Sequence, residues 1–180
     1  MEIVTMTKEE MLARRVVHFA DMKPSQQAYL DSRLPEHQKE SFHVIGIGVT
    51  ENEDDGESIT EAEDFNVNYT RAKPGMGAAL HAHPTVEAFI PISGRWSVQF
   101  GSPDGISEIE LGPLDVISVP KGVMRGFKNI GDEEAILLVI FGAPGGDAGH
   151  VHWDENVIAQ AAKLGDSVSV DGRLSAAAKI

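Results

Sequence analysis

Two histidines and one glutamate lie in a stretch with no other charged residue: His81, His83 and Glu87 in GMGAALHAHPTVEAFIPISG, residues 75–94. On a β-strand, residues two apart project from the same face, about 7 Å apart, so the two imidazoles would point the same way. Pro84 favours an extended conformation at His83 and then interrupts the strand, and a turn there would return Glu87 on the neighbouring antiparallel strand. Such a set suits non-haem iron(II) and also accepts manganese, nickel, zinc or cobalt. The alternative is two half-exposed histidines at a strand end and a glutamate in a turn.

Short β-prone runs follow one another over residues 65–141. They are separated by turn sequences, among them Lys73-Pro74-Gly75, Ser93-Gly94, Ser102-Pro103-Asp104-Gly105 and Gly131-Asp132. Helices would need longer segments with a 3.6-residue period, so this pattern predicts an all-β sandwich or barrel. No internal repeat is visible, which indicates one barrel.

Helical segments are expected on both sides of the barrel. Thr7 and Glu10 have capping-box spacing and predict a helix over about 8–20. Asp154 can cap a second helix that carries Val157, Ile158, Ala161 and Leu164 on one side and ends at Gly165. The acidic segment 50–64 has no EF-hand spacing and is interpreted as a solvated insertion. We therefore predict an N-terminal helix and extended arm over 1–42, the barrel over 43–142, and a glycine-rich exit, helix and tail over 143–180.

Two stretches resemble the conserved motifs of the cupin superfamily. Gly75, His81, His83, Glu87 and Gly94 have the spacing of the first motif, and GPLDVISVPKGVMRGFKN, residues 112–129, resembles the second. The resemblance implies a small antiparallel β-barrel or jelly roll with an internal pocket, which in many members holds a divalent metal.

The chain departs from the cupin pattern at the fourth ligand position, where Arg125 replaces the usual histidine. A guanidinium has no lone pair to offer and stays protonated, so Arg125 is no ligand. In one interpretation His81, His83 and Glu87 still bind a metal, and Arg125 binds a carboxylate or phosphate of the substrate. In the other, Arg125 replaces the metal and pairs with Glu87 in a hydrogen-bonded fork. A surface position for Arg125 is a third alternative.

Three apolar residues alternate with polar ones just downstream: Trp96, Val98 and Phe100. If they face inward, they would line the pocket beside the ligands; otherwise they are core. His150 and His152 repeat the His-x-His spacing but have no carboxylate in ligand register. We interpret them as surface or interface residues and predict no second metal site there.

Composition narrows the class of partner. The net charge of −13 argues against nucleic acid or an anionic membrane, because phosphate binding needs a basic surface. There are no cysteines, which excludes thiolate chemistry. The longest apolar run, residues 135–143, is too short to span a bilayer, and no signal-peptide pattern is visible, so we expect a cytoplasmic protein. The arm and the open sheet edges predict a homodimer.

Three functional hypotheses remain open. The first is an oxygenase, isomerase or lyase that uses a divalent transition metal, such as iron, manganese, nickel or zinc, and in which catalytic Arg125 orients a small organic anion. The second is a metal-free binding or sensing module with an Arg125–Glu87 pair in its pocket. The third is a structural barrel with a vestigial site.

Overall fold

The computed structural model describes residues 3–169 and 172–176, which are built mainly from antiparallel strands. Two five-stranded sheets have the orders β1-β2-β9-β4-β7 and β10-β3-β8-β5-β6, and β11 pairs with β12. The strands are β1 Glu40–Ile45, β2 Phe65–Ala72, β3 Gly77–Ala82, β4 Glu87–Pro91, β5 Trp96–Ser102, β6 Gly105–Leu111, β7 Ile117–Val119, β8 Arg125–Asn129, β9 Ala135–Gly142, β10 His152–Trp153, β11 Asp166–Val168 and β12 Leu174–Ala176.

The two large sheets pack face to face around an apolar core. Phe89 of β4 contacts Phe127 of β8 across the interface, with ring centroids 5.2 Å apart. Trp96 and Leu137 are fully buried in the same core. This arrangement is the all-β jelly roll that the sequence predicts.

Strand β2 carries its polar residues inward. Asn66, Asn68 and Thr70 are buried, whereas Val67 and Tyr69, which alternate with them, are only half-buried on the outer face. A strand that packs on a core normally shows the opposite alternation. The interior of the barrel beside β2 is therefore polar.

Among the described residues, two α-helices flank the barrel: α1 Lys8–Arg15 and α2 Glu155–Leu164. The predicted capping box of α1 is present, but the helix ends at Arg15 rather than near residue 20, because Val16 adopts an extended conformation. Helix α2 begins after Asp154 and ends at Gly165 as predicted, although only Val157 and Ala161 of its expected apolar face are buried. Among the described residues, no helix has the length and apolar character needed to cross a membrane.

Local geometry explains Gly94 of the first motif and Asn129 of the second. Gly94 has a φ of 70°, and a Cβ there would lie 2.5 Å from the Cβ of Ala135, so only glycine fits. The side chain of Asn129 donates to the carbonyls of Ala72 and Glu133 at 2.9 and 2.8 Å and accepts from the N–H of Gly131. These bonds tie together the loops at one end of the barrel.

The segment before β1 enters the barrel rather than only wrapping around it. Ala28, Tyr29 and Leu30 are buried, and the N–H of Leu30 donates to Glu51 at 2.6 Å. Residues 22–39 are called the arm below. Strand β1 starts at Glu40, inside the predicted N-terminal region, so arm and barrel form a continuous core.

Candidate metal centre

A small cavity of about 30 Å³ lies between the two large sheets. It has polar groups on one part of its wall and apolar side chains on the rest. Its lining residues are Tyr29, Asp31, Lys39, Val49, Asn68, Thr70, Ala78, His81, His83, Glu87, Phe127, Val139, Phe141, Val151 and Trp153.

The three predicted ligands meet in this cavity. One ligand atom from each of His81, His83 and Glu87 lies within 4.8 Å of the others, and all three residues are buried. The route by which Glu87 arrives differs from the expectation, because β3 and β4 belong to different sheets and are not hydrogen-bonded neighbours. The bend at Pro84 carries the chain from one sheet to the other, so the carboxylate faces the histidines across the barrel.

The orientation of His81 leaves one ring nitrogen free to bind a metal. Its Nδ1 lies 2.7 Å from the carbonyl oxygen of Ala79. Because a carbonyl only accepts, Nδ1 carries the proton and Nε2 keeps its lone pair. A backbone carbonyl on the far nitrogen is the support that metal-binding histidines commonly have.

Burial keeps both histidines neutral at physiological pH. It lowers the pKa of His81 to about 4, and it lowers that of His83 well below its ordinary value, with further contributions from His81 and Arg125. A neutral imidazole is the form that binds a metal, so no proton has to be displaced.

Burial disfavours the charged form of Glu87 in the metal-free protein. Burial raises the pKa of its carboxyl to about 8, even though Arg125 opposes the shift. The Nε of Arg125 lies 3.3 Å from Oε2 of Glu87, but the pair lacks hydrogen-bond geometry, and neither atom has a hydrogen-bond partner among the described residues. The predicted hydrogen-bonded fork is therefore not formed, although the two charges are adjacent.

The buried atoms at this centre fit a metal ion. Oε2 of Glu87 has no hydrogen bond from the described residues, and a buried carboxylate oxygen without one is costly. A divalent cation would satisfy that oxygen and the two histidines. Two neutral imidazoles and a carboxylate select a transition metal over magnesium or calcium, which prefer oxygen ligands.

Arg125 is fully buried, so the surface alternative is wrong. Its Nη2 donates to the carbonyl of Pro120 at 3.1 Å, and its backbone pairs with that of His81 across β8 and β3. Arg125 is not among the residues that line the cavity, and its contact with a substrate stays a prediction.

Trp96, Val98 and Phe100 do not line the cavity either. They lie on β5, which β8 separates from β3, and Phe127 of β8 fills the space between Trp96 and the cavity with ring centroids 5.9 Å apart. Trp96 and Val98 are fully buried core residues, and Phe100 is half-buried. The core interpretation is the one that holds for Trp96 and Val98.

Sequence reasoning missed the part of the wall that comes from the arm. Tyr29, Asp31 and Lys39 all line the cavity, and Lys39 pairs with Asp31 at 2.5 Å. The only sequence feature that could have indicated this was AYLDSRL, residues 28–34, where apolar residues surround an aspartate within an otherwise polar segment. Trp153 was also missed; its ring lies 5.4 Å from that of His81, and its Nε1 donates to Glu51 at 2.8 Å.

His150 and His152 are exposed, as expected. Strand β10 places His152 opposite Ala82, at the edge of the sheet. Among the described residues, the group formed by His81, His83 and Glu87 is the one whose ligand atoms converge.

Comparison with known families agrees with the fold and the motifs. The cupin domain family matches residues 68–141, which include β3, β4 and β8. Residues 68–141 therefore form a cupin domain. No curated protein sequence matches the chain significantly.

Solved structures share this cupin fold at low sequence identity. An oxalate decarboxylase from Lactobacillus farciminis in complex with formate is 19% identical, with a TM-score of 0.54 over 77% of this chain and 35% of that one. An oxalate decarboxylase from Bacillus subtilis with Mn(II) centres is 22% identical, with a TM-score of 0.50 over 66% of this chain and 28% of that one. The cupin domain of Schizosaccharomyces pombe Cnp3 is 14% identical, with a TM-score of 0.51 over 72% and 74%. The chain thus spans about a third of the oxalate decarboxylases, and these likenesses establish the fold alone.

Proposed function

We propose that this cupin domain binds a divalent transition metal through His81, His83 and Glu87 and binds or acts on a small organic anion. The observation that carries the proposal is the convergence of three buried ligand atoms within 4.8 Å, one of them on an imidazole whose tautomer is already set. When bound, the metal would supply a Lewis acid or an O₂-binding centre. The Mn(II) centres of the Bacillus subtilis oxalate decarboxylase support manganese as the first metal to test.

The charges around the cavity favour an anionic ligand. Asp31 and Lys39 cancel one another, as do Glu87 and Arg125, and the two histidines are neutral. A divalent ion would therefore leave a local charge of about +2 in a buried site, and bound ions are often the largest charges in a site. An anion drawn to the open coordination positions would offset that charge.

Metal uptake tests the proposal directly. We expect the untagged protein to hold about one manganese, iron, nickel or zinc per chain after incubation and desalting, as measured by elemental analysis. His83→Gln should remove most of this metal, because a side-chain amide is a poor substitute for imidazole nitrogen. His18→Gln, which changes an exposed histidine outside the cavity, is the matched control and should leave the content unchanged.

A metal-free binding module is the second candidate. The 3.3 Å approach of Arg125 to Glu87 favours it, because a permanent cation already lies beside the carboxylate. If elemental analysis finds no transition metal under any loading condition, this second function replaces the first. If the protein binds a metal, the reaction class (oxygenase, isomerase or lyase) stays a prediction. If it binds none, that prediction is withdrawn.

A homodimer in the cytoplasm remains part of the proposal. Ile92, Leu114 and Val116 are exposed close together at the β7 edge of the first sheet, and contiguous apolar surface commonly marks an interface. We expect light scattering to give twice the chain mass, and Leu114→Asp to reduce it to one. A monomeric wild-type protein at all concentrations would contradict this part.

A further inference from the structure

We propose that Tyr29 and Asn68 form a subsite for the hydroxyl group of a small hydroxycarboxylate. This inference rests on the proposed function, because the metal would hold the carboxylate end. Tyr29 of the arm and Asn68 of β2 would bind the hydroxyl group at the other end of the ligand.

The polar inner face of β2 is the first observation. Asn68 and Thr70 line the cavity and are 2% and 5% exposed. Burying an amide or a hydroxyl without a hydrogen-bond partner costs free energy, so a cavity wall that served packing alone would be apolar here. A polar ligand group explains why these residue types face inward.

The second observation is that Tyr29 and Asn68 have hydrogen-bonding groups without a partner among the described residues. Nδ2 of Asn68 donates to the hydroxyl oxygen of Tyr29 at 3.4 Å, a long hydrogen bond. Oδ1 of Asn68 is buried and has no partner among the described residues, and the same set of residues provides no acceptor for the Tyr29 hydroxyl proton. The pair thus offers one donor and one acceptor to the cavity.

A ligand hydroxyl matches this pair because it donates and accepts at once. It can donate to Oδ1 of Asn68 and accept from the hydroxyl of Tyr29. If the amide of Asn68 were turned by 180°, Tyr29 would donate to Oδ1 of Asn68. Nδ2 would then face the ligand, and the oxygen of the ligand hydroxyl could accept a hydrogen bond from it equally well. The match therefore does not depend on the amide orientation.

The size of the cavity limits the ligand to a few non-hydrogen atoms. A water molecule needs roughly 10–15 Å³ measured in this way, and the cavity has about 30 Å³. An aromatic ring or a long chain has no room without rearrangement. Glycolate, with two carbons, is the smallest hydroxycarboxylate that has the expected charge and matches the hydrogen-bonding pair.

Glycolate and acetate test the inference, since they differ only in the hydroxyl group. Their affinities for the manganese-loaded protein are compared by calorimetry in the wild type, Tyr29→Phe and Tyr69→Phe. Tyr69 is the other tyrosine of the chain and lies on the outer face of the same sheet, so it is a matched control. We expect the wild type to prefer glycolate, and Tyr29→Phe to lower this preference about tenfold, the value of one hydrogen bond to a buried acceptor. Chelation of the metal by the hydroxyl alone would give the same preference in all three proteins.

The possible outcomes distinguish a failure of the hydroxyl subsite from a failure of the proposed function. Metal content is measured in the same samples, and a protein without metal overturns the proposed function and this subsite with it. If the metal-loaded wild type, Tyr29→Phe and Tyr69→Phe all prefer glycolate over acetate to the same extent, the subsite alone is overturned. A metal-loaded wild type that binds neither glycolate nor acetate also overturns the subsite. If Tyr29→Phe does not fold, Asn68→Leu removes the acceptor with similar volume and should lower the preference equally; an unchanged preference in that variant is a contradiction.

Discussion

Asp31 and His81 bind opposite sides of the same residue, Ala79. The N–H of Ala79 donates to Oδ2 of Asp31 at 2.9 Å, and its carbonyl accepts from Nδ1 of His81 at 2.7 Å. The other oxygen of Asp31 binds the ammonium of Lys39 at 2.5 Å, and both of these charged side chains are buried. The arm is thereby connected to a candidate metal ligand through three consecutive hydrogen bonds.

The buried Asp31–Lys39 pair makes a prediction about stability. Asp31→Asn leaves the Lys39 charge buried without its partner, so we expect the free energy of unfolding to fall by about 3–5 kcal/mol. Lys39→Met leaves the Asp31 carboxylate buried without its partner and should cost a similar amount. Urea unfolding at neutral pH measures both.

The double variant Asp31→Asn/Lys39→Met gives the internal control. With both charges removed, its loss of stability should be smaller than the sum of the single losses. Glu36→Gln, an exposed change on the same arm, should alter stability by less than about 0.5 kcal/mol. Additive losses in the double variant would mean that the pair does not act as a unit.

The connection through Ala79 also predicts an effect on metal binding. In Asp31→Leu/Lys39→Met no charge is left unpaired, but Ala79 loses the carboxylate that fixes its backbone. We expect manganese affinity to fall about 10- to 100-fold, the usual cost of losing support behind a ligand. Competition with a fluorescent chelator measures this, and an unchanged affinity in a folded double variant would show that the arm does not position His81.

Local sequence patterns predicted the barrel because strand runs, turn residues and motif spacing are short-range features. The ligand set His81, His83 and Glu87 was found for the same reason. The arm was not, since the burial of Tyr29 and Asp31 depends on contacts with β2 and β3, about 40–50 positions away along the chain. Burial of Arg125 beside Glu87 was among the alternatives that the motif spacing left open, and the contact with the opposite sheet decides between them.

Arg125→His tests whether position 125 faces the metal. The substitution removes a buried positive charge beside the divalent ion and supplies the fourth ligand of the cupin pattern. We expect manganese affinity to rise at least about tenfold, since like charges a few ångströms apart repel by several kcal/mol in a buried site. Arg125→Met removes the charge without adding a ligand and should give a smaller gain. Equal affinity in all three proteins would place residue 125 outside the coordination sphere.

The raised pKa of Glu87 predicts how the stability of the metal-free protein depends on pH. Burial holds this pKa at about 8, above the ordinary value of 4.5, so the folded state keeps a proton that the unfolded chain has lost. Its contribution to stability is complete below about pH 4.5 and is lost as the pH rises to about 8. Between pH 6.5 and 8 we expect a loss of about 2 kcal/mol, at roughly 1.4 kcal/mol per pH unit.

Glu87→Gln is the control for this pH dependence. Its free energy of unfolding should lack that loss, while Glu51, whose pKa burial raises to about 7, contributes equally to both proteins. The histidines do not enter this window, because their lowered pKa values act below about pH 6.5. Parallel pH profiles for wild type and variant would show that Glu87 is not protonated in the folded state.

A crystal grown with manganese and measured at the manganese absorption edge tests the central claim most directly. We expect one anomalous peak inside the barrel, within bonding distance of Nε2 of His81, a ring nitrogen of His83 and a carboxylate oxygen of Glu87. A fully loaded crystal with no peak at that position, or with the metal held elsewhere while Arg125 and Glu87 stay in contact, would contradict the account.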